Sequence, residues 1–465
     1  MKKNSFRVYT VLALALLMAV CLAGCGGQTV PTATTTPAEP TEEAPAAETP
    51  TPAQSETPQE TEPPAPTPEP EPEPEETAPL HNEGGIPVGE GSGFTDFDSA
   101  LLVFLEEQGY ARESFLVSPL SFRMALALAA EGAGNETKSV LLSAMGFEDG
   151  GAMADWVASV NQGVAAFQSR LDRELQWYAQ YPDDFGGIAP DRAYRVANSI
   201  WHNADREGDF LPTYQQLAQE RFNASAANLP GEELSEAVNG WVNEETDGMI
   251  PKIVGDLSDT DAVLVNALYF RSTWSSTFDP ADTLTMDFHT PEEETVEKEF
   301  MCRQGNMGYY ADEETQLVVL PLAGSMSAAF VLGDTTEIST KLSAASYQEV
   351  LVRLPKLELE TSLENGELTA FLEARGAGLA LSEDADFSRM SETPWRIQDI
   401  IQKARVKTDE DGLEAAAATA IMVDGTAVQE PQEPVEFTAD RPFAFYIYST
   451  YADRPELLFF GQYLR

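Results

Sequence analysis

Basic residues are scarce in this chain of 465 residues, in which 28 lysines and arginines stand against 77 aspartates and glutamates for a formal net charge of −49. Nucleic-acid binding needs clustered lysine and arginine to neutralise phosphates, so this balance argues against DNA or RNA as a partner. It also argues against electrostatic docking on anionic lipid. The excess of negative charge favours a soluble, self-repelling surface.

Cysteine and histidine are scarce as well. The first two of the three cysteines, Cys21, Cys25 and Cys302, lie in an N-terminal export segment, so no disulfide framework is expected in the mature chain. We expect Cys302 to be a small buried or half-buried side chain. His202 and His289 are isolated in sequence, and the third histidine, at position 81, lies in a proline-rich segment.

Known catalytic motifs are also missing: there is no nucleophile elbow, H-E-x-x-H, P-loop or G-x-G-x-x-G. Carboxylates are so abundant that pairs of them carry no information. The sequence therefore predicts no catalytic residues, no metal and no cofactor, and it favours a binding or inhibitory protein over an enzyme. A surface hydrolase is the enzyme alternative.

The N-terminus has the features of an export signal. A basic start is followed by an apolar stretch over residues 11–22, which is too short for a membrane span and fits a signal peptide. Residues 22–25 (LAGC) resemble the bacterial lipobox. This resemblance implies a signal peptide over residues 1–24 and lipidation of Cys25 (palmitate among the acyl chains), with the protein exported and anchored to the outer face of the bacterial cell membrane. The alternative is ordinary cleavage near an incidental cysteine.

Residues 25–92 comprise Cys25 and a predicted disordered stalk. Residues 26–92 contain no lysine or arginine and 14 acidic residues, with a run of alternating Pro and Glu near positions 68–74. Such a segment buries too little apolar surface to fold, and its prolines and like charges favour an extended spacer. It could alternatively be a ligand for a proline-recognising module.

From residue 93 the composition is that of a globular domain. Apolar periodicity predicts helices over residues 97–108 and 119–128. Strands are predicted at 262–270 and 349–360, and hairpins at 317–321 with 328–332 and at 443–448 with 457–460. Early helices followed by many strands predict an α+β domain with large antiparallel sheets.

Six segments of this domain resemble, in order, motifs of the serpin family: residues 118–122 (SPLSF), 198–201 (NSIW), 239–250 (NGWVNEETDGMI), 263–280 (VLVNALYFRSTWSSTFDP), 385–388 (ADFS) and 439–465. The resemblance covers residues 93–465. It implies a serpin fold, with three mainly antiparallel β-sheets, about eight or nine helices and an exposed reactive-centre loop at about residues 410–436.

One further segment resembles the hinge of that loop: Glu410, Gly412, Leu413, Glu414, Ala415, Ala416, Ala417, Ala418, Thr419 and Ala420. Taken alone, a Glu/Ala run favours helix. As a strand it has small, mostly uncharged side chains on one face at period two, and no proline interrupts residues 412–428. A strand of this kind can be inserted into a sheet.

The resemblance implies a suicide-substrate inhibitor of a serine (or cysteine) protease, which traps the acyl-enzyme by inserting the cleaved loop into the central sheet. Counting from Gly412 places the reactive bond at Thr426–Ala427, with Val423 and Val428 as the next candidates. A small side chain there suits an elastase-like target, of host or microbial origin. We expect a monomer whose other partner is the membrane, through its lipid anchor.

Other positions carried over are the polar cluster beneath the opening sheet, Ser118, Ser121 and Asn266, and the place where insertion begins, Trp274 and Glu410. Simple fold stability is the alternative role for each. Three departures from the family pattern stand out: Leu413 replaces a Thr or Ser, Gln402 replaces a His, and residues 427–442 are longer than usual. The bulky Leu413 leaves open the alternative of a non-inhibitory serpin that acts as a binding or carrier protein.

Overall fold

The computed structural model describes residues 89–182, 189–292, 294–364, 366–413, 434–450 and 455–465. The sequence-based assignments to the signal peptide and to the stalk before residue 89 lie outside these residues. So do the following individual predictions: Cys25, Glu414, Ala415, Ala416, Ala417, Ala418, Thr419, Ala420, Thr426 and Ala427.

Eight α-helices and fifteen strands are present in the described part of the chain. The helices are α1 Asp96–Glu107, α2 Pro119–Gly132, α3 Asn135–Ala144, α4 Gly150–Gln180, α5 Pro212–Phe222, α6 Gly231–Glu245, α7 Ile338–Ala344 and α8 Glu367–Ala374. The strands are β1 Phe115–Val117, β2 Ala193–Asn203, β3 Ser225–Leu229, β4 Ala262–Thr273, β5 Leu284–His289, β6 Thr295–Ala311, β7 Thr315–Leu322, β8 Met326–Gly333, β9 Ser346–Pro355, β10 Glu358–Leu363, β11 Ile400–Lys407, β12 Gly412–Leu413, β13 Val435–Thr438, β14 Phe443–Ser449 and β15 Leu457–Tyr463. The predicted α+β class is confirmed.

Both predicted helices form, and local sequence explains where they begin. Thr95 caps α1 in a reciprocal box with Asp98, and Ser118 caps α2 directly before Pro119 at its first position. Nearly every side chain of α2 is buried, because this helix contacts β15 on one side and β2 and β4 on the other. The helix therefore lies at the centre of the domain, between its two sheets.

The smaller sheet has the order β10-β11-β4-β2-β3, with β12 added beside β4. Strands β11 and β4 are parallel neighbours, as are β2 and β3, whereas β2–β4, β10–β11 and β12–β4 are antiparallel. Its buried strand β4 is the one predicted from residues 262–270. Helix α6 covers this sheet on its outer face with a small apolar cluster of its own.

The larger sheet has nine strands, in the order β1-β15-β14-β8-β7-β6-β9-β13, with β5 beside β6. The long strand β6 changes partners along its length, since its first residues pair with β5 and its last four pair with β7. Two of the three expected sheets are thus joined by hydrogen bonds through β6 and β9. Both predicted hairpins are confirmed, as β7–β8 and β14–β15.

The prediction of one strand over residues 349–360 is wrong. Strand β9 ends at Pro355 in the larger sheet, and β10 begins at Glu358 in the smaller one. Leu357 makes the crossing: its carbonyl accepts from the Thr408 amide (2.9 Å), and its amide donates to Thr408 Oγ1 (3.2 Å). The buried positions change phase at the crossing, from Val350, Val352 and Leu354 in β9 to Leu357 and Leu359 beyond it. This change of phase and the proline at position 355 were signs that the prediction overlooked.

The main core lies between the two sheets around α2. Cys302 is on β6 and buried, in agreement with the prediction for this thiol. Among the described residues, no helix is both long and apolar enough to cross a lipid bilayer.

Candidate functional site

The first residues of the predicted hinge already belong to the smaller sheet. Gly412 and Leu413 form β12, antiparallel to β4 with Gly412 opposite Thr273 and Leu413 opposite Ser272. Leu413 also bridges to Thr408 just beyond β11. Strand β12 therefore lies between β4 and β11, at the place where a further strand would enter.

Leu413, the bulky departure from the hinge pattern, is 1% exposed and belongs to the main hydrophobic core. Gly412 is required by a close approach of two backbones. A Cβ at this position would lie 2.7 Å from the Cα of Thr273 and closer still to the carbonyl oxygen of Ser272. Neither atom belongs to a side chain that could turn away, so only glycine fits here without displacing the strand.

Glu410 fixes the base of the hinge. Its Oε1 accepts from Thr283 Oγ1 at 2.6 Å and forms an ion pair with Lys356 Nζ at 2.9 Å. Burial acts to raise the pKa of Glu410, but the hydrogen bonds from Thr283 and Lys356 outweigh it and hold the pKa below its usual value. The Lys356 pKa is raised, chiefly by its hydrogen bond to Glu410. Hence both charges are maintained at neutral pH.

Trp274 packs against the same base. Its amide donates to the Asp411 carbonyl and its indole Nε1 to the Asp409 carbonyl, both at 2.9 Å. The ring contacts Phe278 with a centroid distance of 5.9 Å. Trp274 and Glu410 are thus brought together at the hinge, since the Phe278 amide also donates to the Glu410 carbonyl at 2.9 Å.

A buried polar cluster lies beneath the sheet where β4 and β11 meet. Gln402 donates from Nε2 to the Ser118 carbonyl and to Asn266 Oδ1, both at 2.9 Å, and accepts from the Ser118 amide at 3.0 Å. Ser121 Oγ donates to Asn266 Oδ1 at 2.7 Å. The amide of Asn266 donates to the Ser121 carbonyl and, at 2.8 Å, to Asn198 Oδ1. The cluster therefore ties the first turn of α2 to β2, β4 and β11.

Strands β4 and β11 share few ladder positions. Their parallel register joins residues 264–266 to residues 400–402, at the level of the polar cluster. Nearer the hinge, Ser272 and Thr273 of β4 lie on one side of β12, and Thr408, just beyond β11, lies on the other. The two strands are therefore held together directly at one level only and are separated by the hinge at their other ends.

The far end of the loop region is anchored in the other sheet. Strand β13 runs parallel to β9. Arg353 Nη1 on β9 donates to Thr438 Oγ1 at 3.0 Å and pairs with Glu436 at 3.1 Å. The chain thus leaves the smaller sheet at Leu413 and enters the larger one at Val435.

Sequence reasoning missed three residues of this region: Asn198, Thr283 and Lys356. Asn198 stands in a segment recognised by its motif, so its polar side chain within an otherwise apolar strand was a usable signal. Thr283 and Lys356 lie in connections between elements, and nothing in their local sequence points to Glu410. Gln402, identified from sequence only as a departure, makes more hydrogen bonds in the cluster than either serine side chain.

The two histidines in the described part, His202 on β2 and His289 on β5, lie in different sheets. His202 is fully buried against Phe210, and its nearest charged partner is Asp209, at 3.6 Å. His289 is exposed, and its ring Nδ1 lies 3.5 Å from the hydroxyl of Thr295. No group of three or more metal-binding side chains was found among the described residues.

Comparison with known proteins assigns this architecture. The family model described as "Serpin (serine protease inhibitor)" matches residues 93–465. The chain belongs to the serpin family. Members of this family are generally protease inhibitors rather than enzymes, and some are carriers.

Two curated relatives and one solved structure illustrate the range of the family. Serpin B8 of Bos taurus is 31% identical over 78% of this chain and 96% of its own length. The leukocyte elastase inhibitor of Bos taurus is 28% identical over 79% of this chain and 97% of its own. The structure of thyroxine-binding globulin in complex with thyroxine matches with a TM-score of 0.65 over 80% of this chain and 98% of its own, at 19% identity, and so shares the fold.

Proposed function

We propose that this serpin is a suicide-substrate inhibitor of serine proteases. The observation that carries the proposal is β12. The first hinge residues already lie between β4 and β11, in the antiparallel orientation that a full inserted strand would continue. A bulky Leu413 is accommodated there, which removes the main objection that the sequence raised.

The chemistry is that of an interrupted hydrolysis. The target's serine oxygen attacks the carbonyl carbon of Thr426, the bond to the Ala427 nitrogen breaks, and the departing amine takes a proton from the target's histidine. An ester then links Thr426 to the protease. The released loop adds to the sheet as a new strand and carries the protease with it before water can cleave the ester.

Insertion is favourable because it improves the hydrogen-bond pairing of the smaller sheet. One short parallel contact between β4 and β11 is replaced by two antiparallel ladders, and antiparallel pairing is the more stable per residue. The strand that inserts, residues 413–425, contains no proline and only two charged side chains, Glu414 and Asp424. These two alternate away from the face that carries Leu413, so that face stays uncharged.

An elastase-like enzyme is the proposed target, because residues 412–436 contain no lysine or arginine and the predicted residue before the cleaved bond is small. A trypsin-like protease needs a lysine or arginine side chain in its specificity pocket, and this loop offers none. The likeness to an inhibitor named for leukocyte elastase agrees with this choice. Val423 and Val428 would suit the same class of pocket.

Incubation of the chain, without its signal peptide, with neutrophil or pancreatic elastase tests the proposal. A covalent complex that survives boiling in denaturant is expected, and the mass of the released C-terminal peptide would identify the cleaved bond. The matched control is Ala417→Glu, which puts a charge on the inserting face and should turn the inhibitor into a substrate. Clean cleavage of the unmodified chain, with no complex and no gain in thermal stability, would contradict the proposal.

A carrier function is the second candidate, and one cavity favours it. A space of about 710 Å³ lies between the start of α1, α4, α7 and the adjoining ends of β14 and β15, with Phe94, Trp156, Leu342 and Tyr448 among its walls. Saturable one-to-one binding of an apolar fluorophore such as anilinonaphthalene sulfonate, lost in Leu342→Trp, combined with the absence of any elastase complex, would support the carrier over the inhibitor.

We also propose that Cys25 carries the lipid anchor and that residues 26–92 hold the domain away from the outer face of the membrane. Each buried methylene of an acyl chain contributes about 0.8 kcal/mol to membrane binding. Metabolic labelling with palmitate should mark the wild-type chain and spare Cys25→Ser, which should be found in the soluble fraction. A labelled Cys25→Ser protein would contradict this assignment.

A further inference from the structure

The side chain of Arg123, on α2, is buried in an aromatic cage. It is 8% exposed, and its guanidinium carbon lies 4.2 Å from the ring centre of Phe147 and 4.8 Å from that of Trp156. Nη2 donates to the Met145 carbonyl at 2.7 Å, whereas Nε is buried without a hydrogen-bond partner in the described structure. A buried cation with an unused donor is costly unless nearby anions compensate its charge.

Two carboxyl groups share this environment. Asp98, in the first turn of α1, is 5% exposed and accepts from the Thr95 amide at 2.9 Å. Glu456, directly before β15, accepts from the indole Nε1 of Trp156 at 3.2 Å. Within the described residues neither carboxyl forms an ion pair with Arg123, so compensation acts without direct contact; Arg123 and Glu456 both line the cavity of about 710 Å³. Asp96, exposed and paired with Arg375, also acts on Arg123.

This arrangement makes the carboxyl groups hard to ionise. Burial raises the pKa of Asp98 to about 6, against the lowering effects of the Thr95 hydrogen bond and of Arg123. Burial also raises the pKa of Glu456 to about 7, with a further contribution from the negative charge of Asp98 and opposing ones from Trp156 and Arg123. One cation thus faces two acids, the buried Asp98 and the half-buried Glu456, and ionisation of both leaves one negative charge uncompensated.

The cluster is linked to the functional site through α2. Arg123 follows Ser121 by two residues on a helix whose first turn holds Gln402 and Asn266 beneath the opening sheet. The same helix therefore carries the polar cluster at its start and the caged cation in its next turn. Any strain on Arg123 acts on the element that supports β4 and β11.

We propose that Asp98, Arg123 and Glu456 form a proton-sensitive anchor for α2, which holds the helix tightly when the acid pair binds a proton and loosens it when both acids ionise. The inference does not depend on inhibition, although Arg123 and Glu456 also line the cavity of about 710 Å³ considered above for a carrier.

The sign of the effect follows from linkage. A carboxyl whose pKa is higher in the folded than in the unfolded state contributes stability that is complete below the unfolded value and is lost as pH rises through the folded one. Each extra proton held by the native state raises the unfolding equilibrium constant about tenfold per pH unit. For Glu456, the rise from pH 5.5 to 7.0 should be roughly fifteenfold, because half of the extra proton is already lost at pH 7.0.

The test is urea unfolding of the full mature chain between pH 5.5 and 8.0, for the wild type and for Glu456→Gln, whose neutral amide can still accept from Trp156. The variant should lack the roughly fifteenfold rise and should be more stable than the wild type at pH 8.0. Glu107→Gln, an exposed glutamate on α1, is the control and should behave as the wild type. At pH 8.0, amide hydrogen exchange within α2 should be slower in Glu456→Gln than in the wild type.

Equal pH dependence in the wild type and in Glu456→Gln, or equal α2 exchange at pH 8.0, would overturn the proposal. Should Glu456→Gln fail to fold, Asp98→Asn provides the same comparison, since its amide oxygen can still accept from Thr95. A pH dependence in Asp98→Asn equal to that of the wild type would then be the overturning result.

Discussion

Replacing Gly412 by alanine should expel β12 from the sheet. The added Cβ would be driven into the backbone of Ser272 and Thr273, which cannot yield without disturbing β4. The cost is limited by the alternative open to the chain, which is to withdraw the hinge. Withdrawal exposes Leu413, worth about 1.5–3 kcal/mol, and breaks the pairing at residues 412 and 413, worth about 0.5–1.5 kcal/mol per hydrogen bond.

The reduced freedom of alanine in the unfolded chain offsets about 0.4–1 kcal/mol of this loss, so we expect a net destabilisation of about 3 kcal/mol. Urea unfolding measures it. The matched control is Gly240→Ala in α6, where a Cβ has nothing within 4 Å and where alanine should stabilise the helix.

The same clash persists in the inserted state, because residue 412 remains beside Ser272 when the loop follows it into the sheet. Gly412→Ala should therefore yield more cleaved, released protein and less covalent complex than Gly240→Ala when each is mixed with elastase. Our account of the hinge would be refuted if Gly412→Ala lost less than about 1 kcal/mol of stability and kept the full yield of complex.

Gln402→Leu should destabilise the domain by about 2 kcal/mol in urea unfolding, because it leaves the buried amide of Ser118 without a partner at about 1–3 kcal/mol, while the Ser118 carbonyl keeps its bond from the Phe122 amide; a loss below about 1 kcal/mol would contradict the role assigned to this side chain. The lowered pKa of Glu410 means that its contribution is present above its unfolded pKa and is lost as pH falls. Glu410→Gln and Lys356→Met should therefore be less stable than the wild type at pH 7 and should approach it near pH 3, and a difference that persists at pH 3 would point to packing instead. Thr426→Arg should transfer complex formation from elastase to trypsin, and unchanged selectivity would move the cleaved bond to a neighbouring residue.

Local pattern was sufficient for elements whose environment is uniform along their length. Helix α2 starts at a serine cap followed by proline, and β4 is an apolar run buried on both faces, so both were predictable. The break between β9 and β10 was predictable only in part: the change of phase between the two strands marks it, whereas the crossing at Leu357 depends on Thr408, about fifty residues further along the chain.

The residues of the candidate site also fall into those that the sequence predicts and those that only the assembled fold reveals. Ser118, Ser121, Asn266 and Trp274 stand in recognisable segments, and their positions in the structure could be anticipated from them. The partners of Glu410 could not, since Thr283 and Lys356 become its neighbours only after β4, β9 and β11 are assembled. The size of Leu413 raises the question of an obstacle to insertion, and only the structure shows that this side chain is buried between two strands.

The composition of the seam between β4 and β11 would suit a sheet that opens, as the proposed mechanism requires. Separating two strands packed on hydrocarbon side chains leaves an apolar void, which costs free energy in proportion to its volume. The seam here rests on the amides of Asn266 and Gln402 and the hydroxyl of Ser121, whose donors and acceptors can re-pair with the backbone of an entering strand. Opening a hydrogen-bonded seam costs free energy only while one of its buried donors or acceptors has no partner. The same groups that hold α2 to the closed sheet would therefore lower the barrier to opening it, provided that the inserting strand follows directly, as β12 is placed to do.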